Sequence, residues 1–481
     1  MRFTKKWERA HTALTYAGHV ARVMKSSIRF SPLKIAALAL AASAPLAVAQ
    51  LPAGSALSIA PGVAANSASV NVTDPGNHVW VLQSSPNLAT WTDVEMWKVH
   101  NGNFHRGLSY TPAPGLRLFY RTVFDPAHAD IPNTTANALL LPPTLANYAA
   151  PVLPPSFLVQ PILGQDNTPA NNPVTNAAAT LGRALFYDKR LSLNQTISCS
   201  SCHQQARGFS DGRKFSVGFQ GGLTGRNSMG LSNARWYQRR AFFWDERAAT
   251  LEDQVLQPIQ NTTEMGMTLT GLVTRLGAEP YYATLFTNAF GSATVTSDLI
   301  SRALAQFVRS IISTHTKFDT GAATGFANFT AQENQGRQIF NTVGNCAACH
   351  GTDNFVPGPA INNNGLEFPF VDLGRGGITG LTTDNGLFKV PSLRNIELTA
   401  PYMHDGRFAT LEEVVEFYDH GVVDNPNLSP PLRNPPPGPP TPRRLNLTAV
   451  QKAALVAFLK TLTDTTVTSD PKFSDPFNYG D

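Results

Sequence analysis

Apolar positions recur at helical spacing through much of the chain. Leu299, Ile300, Ala303, Leu304, Phe307, Val308, Ile311 and Ile312 fall on one stripe behind Ser297, which reads as a helix cap. Residues 447–462 carry a second such segment. Two shorter stretches, Gly182-Arg183-Ala184-Leu185-Phe186 and Gly336-Arg337-Gln338-Ile339-Phe340, repeat one another, which suggests two related domains in tandem. Residues 55–124 follow a different rhythm. Val79-Trp80-Val81-Leu82-Gln83, Trp91-Thr92-Asp93-Val94 and Leu118-Phe119-Tyr120-Arg121 are short aromatic and β-branched runs, punctuated by Pro75-Gly76, Asn101-Gly102 and Pro114-Gly115. They predict a small antiparallel β module. Trp80, Trp91, Trp97 and Tyr120 would be its core or, alternatively, a sugar or partner surface. Residues 125–160, rich in Pro, Ala and Asn, read as a linker. The Pro-rich stretch 430–442 reads as a polyproline II loop, and residues 465–481 as a loosely held tail.

Composition places these elements in a folded protein. Of 481 residues, 42% are hydrophobic and 15% charged, too apolar for a disordered chain and enough for two or three cores. No apolar run is long enough for a polytopic membrane protein. The formal charge of +5 is unevenly placed: residues 1–49 hold eight of the 38 Lys and Arg and one of the 33 Asp and Glu, leaving 30 against 32 in the remainder. The body is therefore slightly acidic and has no electrostatic footprint for nucleic acid. Residues 35–49 are mostly Ala, Leu and Val, follow basic residues and end in Ala47-Val48-Ala49, the pattern of a secretory signal peptide with Met24 as an alternative start. An uncleaved anchor is the other reading. On the signal-peptide reading the expected location is periplasmic or otherwise exported, with no membrane span in the mature chain.

All four cysteines then have one use. Cys199-Ser200-Ser201-Cys202-His203 and Cys346-Ala347-Ala348-Cys349-His350 are both C-x-x-C-H, the pattern for covalent attachment of haem c. Two thiols must reach the two vinyl groups on one porphyrin edge, and the adjacent His then ligates iron. A four-thiolate zinc site or a redox C-x-x-C pair is the competing use. A His directly after each pair, in a chain with no other Cys, favours two haems. The fold expected is mainly α: two tandem cytochrome c-type haem domains, residues 161–325 and 326–464, preceded by the small antiparallel β module.

Residues 181–462 resemble the bacterial di-haem cytochrome c peroxidases and MauG. The resemblance rests on Leu181-Gly182-Arg183-Ala184-Leu185-Phe186-Tyr187-Asp188, on Phe243-Trp244-Asp245-Glu246-Arg247-Ala248 with Leu251-Glu252-Asp253-Gln254 and Glu264-Met265-Gly266, and on Lys389-Val390-Pro391-Ser392-Leu393-Arg394-Asn395 through Tyr402-Met403-His404-Asp405-Gly406. It implies His203 and His350 as proximal iron ligands, Glu264 as the acid–base group for peroxide cleavage with Gln254 as its partner, Pro258 as a pocket wall and Trp244 as an electron relay between the haems. The removable distal His of many relatives is replaced by Phe219, in Ser216-Val217-Gly218-Phe219. Phe cannot ligate iron, so the first haem is expected open, unless His315 closes it. Leu411-Glu412-Glu413-Val414-Val415-Glu416-Phe417-Tyr418 puts Tyr418 where MauG has its Tyr ligand, with Met403 as the rival sixth ligand of the second haem and His404 as a supporting group. The family also implies calcium at Asn227, Thr399 and Pro401.

The activity so implied is reduction of hydrogen peroxide to water with electrons from a small donor, a cytochrome c or a copper protein. The alternative is a MauG-like enzyme whose high-valent haem pair oxidises a protein or an organic substrate. A third reading, from another class, is a non-catalytic electron-transfer cytochrome. The resemblance also leaves room for a homodimer.

Overall fold

The computed structural model describes residues 56–61, 67–74, 79–85, 92–98, 102–109, 119–125, 139–356 and 361–477. The expected signal peptide, residues 1–49, lies outside them. Six strands run before the helical body: β1 (Ala56–Pro61), β2 (Ser67–Asp74), β3 (Val79–Ser85), β4 (Thr92–Lys98), β5 (Gly102–Ser109) and β6 (Phe119–Asp125). They pair antiparallel as two three-stranded sheets, in the orders β1-β2-β5 and β4-β3-β6. Trp91 and the side chains of Trp80, Trp97 and Tyr120 fall outside what is described.

The rest is mainly helical. The first core is built from α1 (Asn176–Tyr187), α2 (Leu251–Gln260), α3 (Leu269–Gly277), α4 (Pro280–Phe290) and α5 (Ser297–Ser310). The second is built on α6 (Ala331–Asn341), α7 (Leu411–Glu416) and α8 (Ala449–Lys460). Among the described residues no helix is long and apolar enough to cross a membrane. Threonines start all of these helices except α4 by accepting backbone N–H groups that no preceding turn can satisfy, while α4 opens on Pro280 after Glu279. Thr330 and Thr448 are each matched by Glu333 or Gln451 in a reciprocal cap. Thr296, not Ser297, caps α5, because its side chain accepts from Leu299 N.

The repeated Gly-x-x-x-Phe stretch marks the same joint in both cores. A Cβ on Gly182 of α1 would lie 2.0 Å from Ala303 O and 2.8 Å from Phe307 Cβ of α5. A Cβ on Gly336 of α6 would lie 1.9 Å from Ala454 O and 2.8 Å from Phe458 Cβ of α8. Glycine lets one backbone rest on another. Gly182→Ala or Gly336→Ala should therefore push the pair apart and lower stability by about 1–3 kcal/mol. Thermal unfolding of the haem-loaded protein measures this, and an unchanged midpoint would mean the helices separate without cost.

Three flanking segments differ from expectation. The linker stretch contributes the buried rings of Tyr148 and Phe157 to the cores. The tail is held fast: Phe473 is 2% exposed, its carbonyl accepts from Tyr187 Oη at 2.7 Å, and Tyr148 Oη donates to Lys472 O at 2.5 Å. Scattered aromatics in a polar segment find the core through long-range contacts that local composition does not reveal. The Pro-rich loop turns back on itself, with Arg433 bridged to Pro442, instead of running as an extended polyproline helix.

Candidate functional site

Each Cys-x-x-Cys pair winds into a single turn that presents the following His. His203 N donates to Cys199 O at 2.9 Å, and His350 N to Cys346 O at 2.8 Å. The Nδ1 atoms face carbonyls, Phe209 O at 2.9 Å and Phe355 O at 3.3 Å. Both phenylalanines adopt left-handed backbone, φ 61° and 53°, costly for a bulky side chain and here used to turn a carbonyl towards the ring. A donor hydrogen bond from Nδ1 leaves Nε2 with its lone pair for a metal. Burial lowers the pKa of both rings, that of His350 to about 4, so each is the neutral imidazole that ligation needs.

An apolar cavity lies over Cys346, Cys349 and His350, walled by Phe340, Val390, Leu411, Val415, Leu455 and Leu459. Tyr418 and Met403 border it as well. Tyr418 sits in a π-helical turn, Phe417–Gly421, that interrupts the run of α7 and resets which side chain faces inward. Burial pushes its phenol up to about 12, and both Cys346 and Cys349 act on it electrostatically. Met403, at φ 75°, accepts from Asn364 Nδ2 at 3.5 Å, and Asn364 also hydrogen-bonds Tyr418. Both candidate sixth ligands are thus within reach of one amide. Two thiols, a neutral imidazole and a phenol or thioether around an apolar slot suit a c-type haem.

The first attachment turn borders a different wall. Phe219 is 4% exposed, and its backbone N donates to Glu264 O at 2.9 Å. The loop must be glycine-lined here, since a Cβ on Gly218 would meet Thr263 O at 1.6 Å and one on Gly266 would meet the Phe219 ring at 2.3 Å. Glu264 is partly buried, and among the described residues its carboxylate accepts no hydrogen bond. Desolvation raises its pKa, only partly opposed by Arg247, and its charge in turn raises the Cys199 thiol. Glu264 thus acts electrostatically on Cys199 of the first Cys-x-x-Cys-His turn, behind the larger effects of burial and Cys202. Gln254 lies half-buried on α2 with Pro258 one turn further on, and among the described residues no hydrogen bond joins its side chain to Glu264. His315 is 62% exposed beside Asp464 and borders neither Phe219 nor Glu264.

Trp244 stands where the two halves meet. Its Nε1 donates to Asn227 O at 2.8 Å, its carbonyl accepts from Lys389 N at 2.8 Å, and its indole borders the His350 cavity together with Gly208 and Ser210 of the first half. His404 lies edge-on to it at 6.4 Å and stacks on Phe388 at 3.9 Å. Asn227, Thr399 and Pro401, the residues expected for calcium, all border this same cavity.

Two positioning groups escaped the sequence reading. Asn261 Oδ1 accepts from Thr263 N at 2.8 Å and Glu264 N at 3.1 Å, an Asx turn whose Asn-Thr-Thr-Glu spacing is legible in hindsight. Asn364 had no signal, because its two partners are remote in the chain.

Two Cys-x-x-Cys-His turns with neutral imidazoles and a partly buried acid fit a haem-dependent oxidoreductase site. The family model for di-haem cytochrome c peroxidases, CCP_MauG, matches residues 176–325. The methylamine utilization protein MauG of Methylorubrum extorquens is 37% identical over 297 residues, 61% of this chain and 80% of the relative. Cytochrome c551 peroxidase of Nitrosomonas europaea is 35% identical over 289 residues, 59% and 79% of the two chains. A crystal structure of a MauG-like protein associated with microbial copper homeostasis superposes with a TM-score of 0.57 at 35% identity, covering 66% of this chain and 98% of that one. The chain belongs to the di-haem cytochrome c peroxidase and MauG family, and is an oxidoreductase that uses haem.

Proposed function

We propose that this protein reduces hydrogen peroxide to water at a haem held by Cys199, Cys202 and His203, in the first of two tandem haem domains. Electrons reach it from a second haem held by Cys346, Cys349 and His350, through Trp244. The observation that carries this reading is Glu264: a carboxylate with a raised pKa, acting electrostatically on the Cys199 thiol, beside an apolar Phe219. When bound, the haem supplies iron that accepts peroxide and conducts electrons. Glu264 takes a proton from the bound oxygen of peroxide and returns it to the departing one, so that water leaves. Burial raises its pKa above the ordinary carboxylate value, which favours holding the proton between the two transfers. Phe219 fills space without competing for the metal. Trp244, fixed at both its indole N–H and its carbonyl, keeps the electron path short.

Covalent attachment through all four thiols, calcium at Asn227, Thr399 and Pro401, an exported location and a separate β module, for docking a partner or tethering to a surface polymer, complete the proposal. Tyr418 favours a second reading, in which the same oxidising power is spent on a protein or organic substrate, as in MauG-like enzymes. Mixing the diferric protein with stoichiometric peroxide separates the two. Rapid turnover with reduced cytochrome c or a reduced copper protein is expected for the peroxidase. A long-lived oxidised optical spectrum with no turnover would reject it in favour of the MauG-like reading.

A further inference from the structure

Behind one wall of the His350 cavity lies a group of buried ionisable side chains that peroxide cleavage does not use. Tyr237 is 1% exposed, and its hydroxyl donates to Glu246 Oε1. Glu246 is 2% exposed and is locked in place. Arg239 Nε reaches its two carboxylate oxygens at 2.8 and 2.7 Å, and Arg375 Nη1 donates to its carbonyl at 2.7 Å. Lys389 Nζ stands 3.7 Å from the centroid of the Tyr237 ring. Lys389 also borders the cavity, and its backbone N–H is the group bonded to Trp244 O. A single side chain therefore separates the phenol from the second haem site, and that residue is tied to the indole between the halves.

A phenol loses an electron easily only if it loses its proton at the same time, because the oxidised ring is a strong acid. A carboxylate already accepting that proton is a built-in base. Prior deprotonation is blocked here: burial and the adjacent Glu246 charge push the Tyr237 phenol far above its ordinary value. Electron and proton must leave together. The ammonium of Lys389 over the ring face favours the intact phenol and makes electron removal harder. The site therefore stays reduced in the resting protein and yields only to an oxidant of peroxide strength.

We propose that Tyr237 is a redox-active tyrosine that donates one electron to the haem of the His350 cavity while its proton passes to Glu246. The inference rests on the peroxide-reducing reading. Reduction of one hydrogen peroxide to two waters takes two electrons and two protons. Tyr237 supplies one of those electrons and the haem pair the other, while both protons come from solvent, because the phenol's own proton stays on Glu246. The phenol O–H bond breaks, the proton bonds to Glu246 Oε1, and a neutral phenoxyl remains hydrogen-bonded to a carboxylic acid. One electron from the external donor, with the proton returned by Glu246, restores the phenol. The protein thereby holds an oxidising equivalent away from the peroxide site when donor is scarce.

The test uses the haem-loaded diferric protein, mixed with equimolar peroxide without donor and frozen for electron paramagnetic resonance. A tyrosyl signal is expected in the wild type, absent from Tyr237→Phe, and reduced on the order of tenfold in Glu246→Gln, where the acceptor oxygen remains but cannot take a proton. Its formation should be slower in deuterated water. Thermal midpoints of both variants check that the fold is kept. The same signal in Tyr237→Phe would overturn the inference, as would a peroxide-shifted haem spectrum with no tyrosyl signal at any time. Flash-generated ruthenium(III) then oxidises the same samples without peroxide. A Tyr237-dependent signal there, with an unshifted haem spectrum under peroxide, upholds the redox tyrosine and rejects the peroxidase reading instead.

Discussion

Replacing Glu264 by Gln is expected to slow peroxide decay by roughly 10²-fold or more. The amide keeps the size of the carboxylate and cannot accept the proton that O–O cleavage must relocate. Nothing else described at the Phe219 wall offers a base with the same placement: Arg247 is cationic, and His315 stands exposed beside Asp464. Rapid mixing of the diferric protein with peroxide, followed at the Soret band, measures the rate. The pH profile adds a second readout. Burial penalises the ionised carboxylate, so the basic form should be lost as pH falls through a midpoint above the ordinary 4.5. That acid limb should vanish in the Gln variant. Stability should move the other way. A carboxyl whose folded pKa is raised contributes fully below its unfolded value and loses that contribution as pH rises through the folded one. Glu264→Gln should therefore melt no lower than wild type at neutral pH, which separates loss of chemistry from loss of fold. An unchanged decay rate would remove Glu264 from the mechanism.

Tyr418→Met is expected to raise the reduction potential of the second haem by on the order of 10² mV, a fraction of the range that axial ligands span. A phenolate is a hard anionic oxygen and favours the ferric state, whereas a thioether favours the ferrous one. Burial pushes the phenol up to about 12, so ligation by Tyr418 would need the iron's charge to draw off its proton. Met403→Leu should leave the potential nearly where it was while removing the contact to Asn364. Spectroelectrochemical titration of both variants decides between them. A large shift in Met403→Leu, with none in Tyr418→Met, would make the thioether the ligand.

Much of this site was legible without coordinates because its chemistry is local. A Cys-x-x-Cys-His turn needs only five consecutive residues, and the repeated Gly182 and Gly336 stretches announced the same helix joint twice. The buried acid was legible for a different reason. Nothing in the residues around Glu264 marks it, and only the resemblance of the surrounding stretch to a known family singled it out. The tail was misread because Phe473 meets Tyr187, 286 residues away, and the still more distant Tyr148, contacts that local polarity conceals.

The amino-acid order alone determined that two Cys-x-x-Cys-His turns exist, that helices dominate, and that Phe219 leaves no ligand at its position. These follow from residue type and near-neighbour spacing. Only the tertiary structure decided that Glu264 acts on Cys199, that Tyr418 and Met403 share Asn364, and that Tyr237, Glu246 and Lys389 close into one cluster behind the cavity. Those relations join residues from separate elements, and burial, which sets their proton affinities, exists only once the elements have packed.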